Sequence, residues 1–185
     1  MKKLFSAATF GFLFFTFLIT TKSIAQSLSS EDIKTQMLMD WQRAKEYTVS
    51  YLNTMPADKY NYRPTDSVRS FAQQMLHIAQ GSAFLMPIAS GMKPPSFLLS
   101  DLEHSPTAQN KDSVMYYVLA SYDYCIQAVK SVDVNKWGEK VKAFNFEETR
   151  FAMLMKVFEH QGHHRGQTTI YIRMSGIKPP QERLF

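Results

Sequence analysis

The 185-residue chain reads as an all-α protein, a four-helix bundle with a long crossover between helices two and three. Three observations predict this. Glycine is sparse between Ser29 and Ser175. Apolar residues recur every three to four positions in four long segments, the period of a helix with one buried face. No segment alternates apolar and polar residues as a half-buried strand would. There is no internal repeat or low-complexity stretch, and the length suits one domain with a sizeable core.

The first 25 residues stand apart from the bundle. "MKKLFSAATFGFLFFTFLITTKSIAQS" has Lys2 and Lys3, an apolar run from Leu4 to Ile19, and then Ser23-Ile24-Ala25. That is the layout of a secretory signal peptide cleaved after Ala25. The expected mature domain is residues 26–185, beginning at Gln26, in an exported protein that is periplasmic or secreted. The rival reading is an uncleaved anchor. The apolar run falls short of the roughly 20 residues that span a bilayer, and no cysteine follows the cleavage site to carry lipid. No stable membrane anchor is therefore expected after cleavage. Without Lys2, Lys3 and Lys22 the formal charge of +5 falls to +2. That mild surplus, with no block of Lys and Arg, argues against a nucleic-acid partner.

Helix one is expected from Ser30 to Met55, with Ile33, Met37, Trp41, Ala44, Thr48, Tyr51 and Met55 on one stripe. Ser29 and Asp32 suit a capping arrangement, Glu31 and Asp32 suit the positive end of the helix dipole, and Pro56 closes the segment. "YNYRPTDSVR" is a connection with Pro64 and Asp66 as turn residues. Ser70 and Gln73 form a capping box opening helix two, which runs to Ser90. Its buried face should hold His77, Ile78, Phe84, Leu85 and Ile88, with Gly81 allowing close approach of a neighbour. The crossover "GMKPPSFLLSDLEHSPTAQN" contains His104, which reads as a surface residue. Helix three is expected from Lys111 to Val132 on Met115, Val118, Leu119, Tyr122, Ile126 and Val129. Cys125, the only cysteine, reads as a small buried thiol. After a loop from Asn135 to Phe144, Asn145 and Glu148 could cap helix four, which continues to Ser175 and stops at Gly176 and Pro179-Pro180.

Helix four carries the chemistry. Met153, Val157, His160, His164, Gln167 and Tyr171 follow a 4-3-4-3-4 spacing, the stripe that faces a bundle interior. His160 and His164 lie about 40° apart in azimuth and about 6 Å apart along the axis, which lets two imidazoles share one ion. His163 sits nearer the edge of the face, and Arg165 points to the far side. Buried imidazoles need partners. They could join Gln167, tyrosines or water in a polar core network, or bind a metal with a third ligand from another helix. His77, mid-face on helix two, can project into the same core. Three facing histidines with few carboxylates suit zinc, nickel or iron and not calcium or magnesium. A di-iron bundle would need several interior glutamates, and Glu147, Glu148 and Glu159 lie off the stripe.

"SFAQQMLHIAQ", followed far downstream by "HQGHHRGQTTIYIRMSGIKPP", resembles the DinB-like (YfiT-type, damage-inducible) superfamily of metal-binding four-helix bundles. The resemblance spans the whole mature chain, including "YRP" before helix two and the long crossover. It implies a metal triad of His77, His160 and His164. It does not carry His163 over as a ligand, and leaves His163 and Gln167 as candidates for orienting the ligands from outside. The superfamily is unrelated to the translesion polymerase that shares its name. Some of its branches resemble thiol-dependent transferases or isomerases, and others are called metal-dependent hydrolases. An exported protein meets little low-molecular-weight thiol, which weakens the transferase expectation. The expected partner is a small-molecule substrate, and the chain is compatible with a homodimer. The alternative is a non-catalytic metal-binding or structural module. Access discriminates: a centre sealed by Met153, Val157, Tyr171 and Phe84 would be structural, and one reached by a pocket would be catalytic.

Overall fold

A computed structural model describes residues 27–185, so the expected signal peptide lies outside the described residues. The chain forms α1 (Ser30–Thr54), α2 (Phe71–Ser90), α3 (Lys111–Ser131), β1 (Lys140–Ala143), β2 (Phe146–Thr149) and α4 (Arg150–Met174). Among the described residues no helix is long and apolar enough to cross a membrane.

Both capping boxes form. Ser29 Oγ accepts from Asp32 N at 3.1 Å, and the Asp32 carboxylate accepts from Ser29 N at 3.1 Å. Ser70 Oγ accepts from Gln73 N at 3.2 Å, and Gln73 Oε1 accepts from Ser70 N at 2.9 Å. Each satisfies amide hydrogens that a helix start otherwise leaves unpaired. At the other end of α2, Gly91 adopts φ 76°, the left-handed conformation glycine takes without penalty.

The helices pack into one core. The α1 stripe is buried from Met37 through Tyr51, and Trp41 meets Tyr122 and Phe158 edge-on, with ring centroids 5.8 and 5.2 Å away. On α3 the buried face centres differently from expectation. Val118, Tyr122, Cys125 and Val129 are buried as expected, but Met115, Leu119 and Ile126 are only half-buried, whereas Val114, Ser121 and Ala128 are fully enclosed. Small residues make up much of the α2 face as well, in Ala79, Ser82 and Ala83. Helices pack closely where side chains are small, so a stripe chosen by apolar bulk sits to one side of the true contact. Phe84 is a correction of the same kind: it is 58% exposed. Its ring leaves the core for Phe144 of the hairpin turn, at a centroid distance of 5.7 Å.

The hairpin itself was not expected. β1 and β2 pair antiparallel from Lys140↔Thr149 to Ala143↔Phe146, and Phe144 at φ 56° makes the turn. β1 alternates, with Lys140 and Lys142 exposed and Val141 and Ala143 more enclosed, but four residues are too short a run to stand out, and β2 does not alternate. The hairpin also displaces the expected cap. Glu148 pairs with Val141 inside the sheet, Asn145 lies in the turn, and Thr149 caps α4, its side chain accepting from Ala152 N at 3.1 Å.

Candidate metal centre

α2 brings His77, and α4 brings His160 and His164, to one place between the two helices. One ring nitrogen from each lies within 4.8 Å of the others. Ring centroids are 4.4 Å apart for His77 and His164, 4.5 Å for His160 and His164, and 5.2 Å for His77 and His160. Gly81, one turn along α2 from His77, makes this possible. A Cβ at that position would run into His160 Cε1 and lie 2.9 Å from Nε2 and 3.0 Å from Nδ1. The His160 ring occupies the space of the missing side chain, and its buried Nδ1 has no hydrogen-bond partner.

The other two rings are held from behind. His77 Nδ1 meets Glu103 Oε1 at 2.5 Å, and the second carboxylate oxygen accepts from Arg69 Nε at 2.7 Å. Glu103 belongs to the crossover, yet its backbone is fixed on three sides. Its N–H donates to Gln80 Oε1 at 2.9 Å, and its carbonyl accepts from Gln73 and Gln109 at 3.1 and 2.8 Å. His164 Nδ1 donates to Gln74 Oε1 at 3.1 Å. The Gln74 amide donates in turn to Gln167 Oε1, and Gln167 Nε2 donates to His163 Nε2 at 2.8 Å. With Nδ1 engaged on His77 and His164, Nε2 of each is left with its lone pair directed elsewhere.

The remaining polar residues fall into place around this cluster. Gln167 reaches His164 only through Gln74, and His163 is exposed, outside the cluster. The most buried line of α4 is Leu154, Val157, Gln161, Thr168 and Ile172, with His164, 9% exposed, at its edge, so His160 and Gln167 flank it on the side toward α2. Arg165 points away from the histidines onto α1 and does not reach them. His104 is a surface residue paired with Asp101 at 2.9 Å. Sequence reasoning missed Glu103 and Gln74. A carboxylate in an irregular loop carries no periodic signal, whereas Gln74, one turn before His77, could have been found.

Burial, and then the charges of His77 and His163, hold His160 down at about 4. Burial, followed by His160 and His77, holds His164 at about 3. Both are neutral at pH 7, with lone pairs available. Burial pushes Glu103 up, but hydrogen bonds from His77 and Arg69 outweigh it and leave the carboxyl at about 2, ionised at neutral pH.

A pH dependence follows. Each histidine is held neutral in the fold but titrates near 6.5 when unfolded, so the unfolded chain takes up protons first as the pH falls. For chelator-treated protein, thermal stability should hold above a pH of about 6.5 and decline toward a pH of about 4.5, before most carboxylates titrate. The His160→Ala/His164→Ala double variant should show a flatter profile over that interval. A wild-type profile with no slope there would contradict the assignment.

The site's chemistry follows from its donors. Three neutral imidazoles on two rigid helices, two of them oriented by hydrogen-bonded partners, could hold a divalent transition metal ion. The structure thus defines an all-α four-helix bundle with an interhelical histidine cluster. Residues 26–183 match the DinB family, and the chain belongs to that family. The fold is similar to that of a DinB-like protein from Bacillus cereus, at 17% identity and a TM-score of 0.69, covering 80% of this chain and 97% of that one. It is also similar to a DinB-like protein from Bacillus subtilis, YjoA, at 17% identity and a TM-score of 0.61, covering 81% and 96%. No protein of curated function matches.

Proposed function

We propose that this chain is a metal-dependent hydrolase of a small molecule, with zinc, nickel or iron held by His77, His160 and His164. The observation that carries this reading is the three-histidine cluster itself, with the His77 side chain still reached by solvent. A cavity of about 490 Å³ lies against the partners of the histidines, lined by Arg69, Gln73, Gln74, Glu103 and Gln167 among others. Of the four residues that would seal a purely structural ion, Met153, Val157 and Tyr171 are buried, but Phe84 is exposed and the His77 side chain is 24% exposed. Three protein ligands with an accessible side are the pattern of catalytic sites, whereas structural sites are closed by a fourth.

The residues present fit such an ion, because the His160 ring has a cradle at Gly81 and an unpartnered buried nitrogen. A divalent ion there would supply a Lewis acid. Glu103 fixes the tautomer and orientation of His77 and draws Arg69 to the cavity, and Gln74 does the same for His164. Thiol transfer, the other activity expected from the sequence, would need its thiol from outside. Cys125 is fully enclosed, and burial pushes its thiol up to about 12. Export, supported by the charged, apolar and small-residue segments of the N-terminus, further favours hydrolysis.

Native mass spectrometry of the protein recovered from the periplasm or medium tests ion and export together. The expected species begins at Gln26 and carries one transition-metal ion per chain. A chain that takes up no ion from zinc, nickel or iron would overturn the metal reading, and an intact Met1 would overturn cleavage. Metal-dependent turnover of ester or amide probes, lost in His160→Ala, distinguishes an enzyme from a storage or structural module.

A further inference from the structure

A second cavity, of about 390 Å³, lies on the opposite flank of α4, between that helix, α1 and the segment that follows α4. Four arginines line it (Arg43, Arg165, Arg173 and Arg183) beside Tyr47, and Glu182 is the only acid there. Two of the four are neutralised within the protein. Arg43 pairs with Asp40 at 2.9 Å, and Arg183 pairs with Glu46 at 2.7 Å. The other two form no ion pair among the described residues. Arg165 is partly buried and makes only neutral contacts: Gln161 Oε1 at 2.6 Å, Thr48 Oγ1 at 3.3 Å, Ala44 O at 3.4 Å and the face of Tyr47 at 4.7 Å. A partly desolvated guanidinium without a counter-charge is unfavourable unless something supplies one.

The floor of this cavity gives an independent indication. Gly162 and Gly166 lie one turn apart in the middle of α4 and line it. Glycine costs about 1 kcal/mol relative to alanine at such a position. At Gly81 the fold demands that cost, because the His160 ring fills the space. At Gly162 and Gly166 an added Cβ would meet nothing within 4 Å, and neither residue has a positive φ. The protein's own packing does not explain them. Together they leave bare helix backbone facing the cavity, which lets a ligand approach closely.

We propose that this cavity is a binding site for a small phosphate-bearing anion. A phosphate group carries between −1.5 and −2 charges, roughly, at pH 7, and would meet the guanidiniums of Arg165 and Arg173, whose charge Glu182 in the lining offsets only in part. Arginine is suited to it, presenting a planar fork of donors to tetrahedral oxygens. The cavity is larger than a phosphate group, so an organic substituent can lie over the glycine floor. The shared chemistry is the phosphoryl oxyanion, whether free or esterified. The site is separate from the histidines: Arg165 is turned about 100° from His164 around the helix axis.

Isothermal titration calorimetry of the full-length mature protein tests this, with inorganic phosphate, glycerol 3-phosphate and phenyl phosphate at ionic strength held constant with sodium chloride. Saturable binding is expected, weakened at least roughly tenfold in Arg173→Gln, which removes one charge-assisted contact. Gly166→Ala should weaken binding similarly while melting at the same temperature as wild type or higher, since alanine favours the helix. His164→Ala should bind as wild type does. Equal affinity for all three probes identifies free phosphate as the ligand, and tighter binding of an ester identifies an organic phosphate. The proposal is overturned if no probe binds beyond the chloride control. It is equally overturned if binding survives Arg173→Gln and Gly166→Ala but is lost in His164→Ala, which would place the anion at the histidine cluster.

Discussion

Gly81→Ala is expected to abolish metal uptake at the proposed centre while the bundle stays folded. The added methyl would enter the space of the His160 ring, so the ring must move. Overpacking of this kind costs about 1–3 kcal/mol, and roughly 1 kcal/mol returns through the higher helix propensity of alanine. The net stability change is therefore small. Coordination is less forgiving, because imidazole nitrogens bind at about 2.0–2.1 Å. Loss of an orienting partner alone weakens metal sites about 10–100-fold, and displacing a ligand should exceed that. Metal titration alongside circular dichroism makes the check. A variant that keeps full metal affinity would show that His160 does not contribute.

His164→Ala should separate catalysis from scaffolding. It removes one donor, leaves His77 and His160 in place, and puts the best helix former at a mid-helix position. Metal affinity should fall by at least about 100-fold, beyond the loss of an orienting partner. The melting temperature should drop only modestly, because the fold rests on a continuous core from Trp41 and Leu52 through Met75 and Val118 to Ile172. Were the ion structural, its binding free energy would contribute directly to folding, and the variant would lose most of its stability. Unfolding of the variant, together with unfolding of wild-type protein in chelator, would count against a catalytic ion.

The helices and the shared face of His160 and His164 were legible because both depend on local period, whereas their meeting with His77 was implied by the family resemblance. A 4-3-4-3-4 spacing fixes direction around a helix axis whatever surrounds it, and capping pairs such as Ser70 and Gln73 act within a single turn. The contact face of α3 was less legible. Ser121 and Ala128 are buried because α2 comes close, which is a property of the pair and of neither sequence alone. The β1–β2 hairpin left only the Lys140–Ala143 alternation as a trace, a run too short to set a period. Glu103 was hidden for another reason. It reaches His77 across 26 positions of chain, and nothing in the string "SDLEHSP" distinguishes it from its solvated neighbours.

That placement of Glu103 makes the centre modular. The carboxylate that sets the orientation and basicity of His77 comes from a connecting segment, anchored on either side by the buried Leu102 and Ala108. Exchanging the Glu103 side chain would alter the basicity of His77 while leaving the Glu103 backbone contacts to Gln73 and Gln80 available. A short stretch of connecting chain therefore sets the surroundings of His77 while the helices supply the scaffold. Directed evolution of the centre is best begun there.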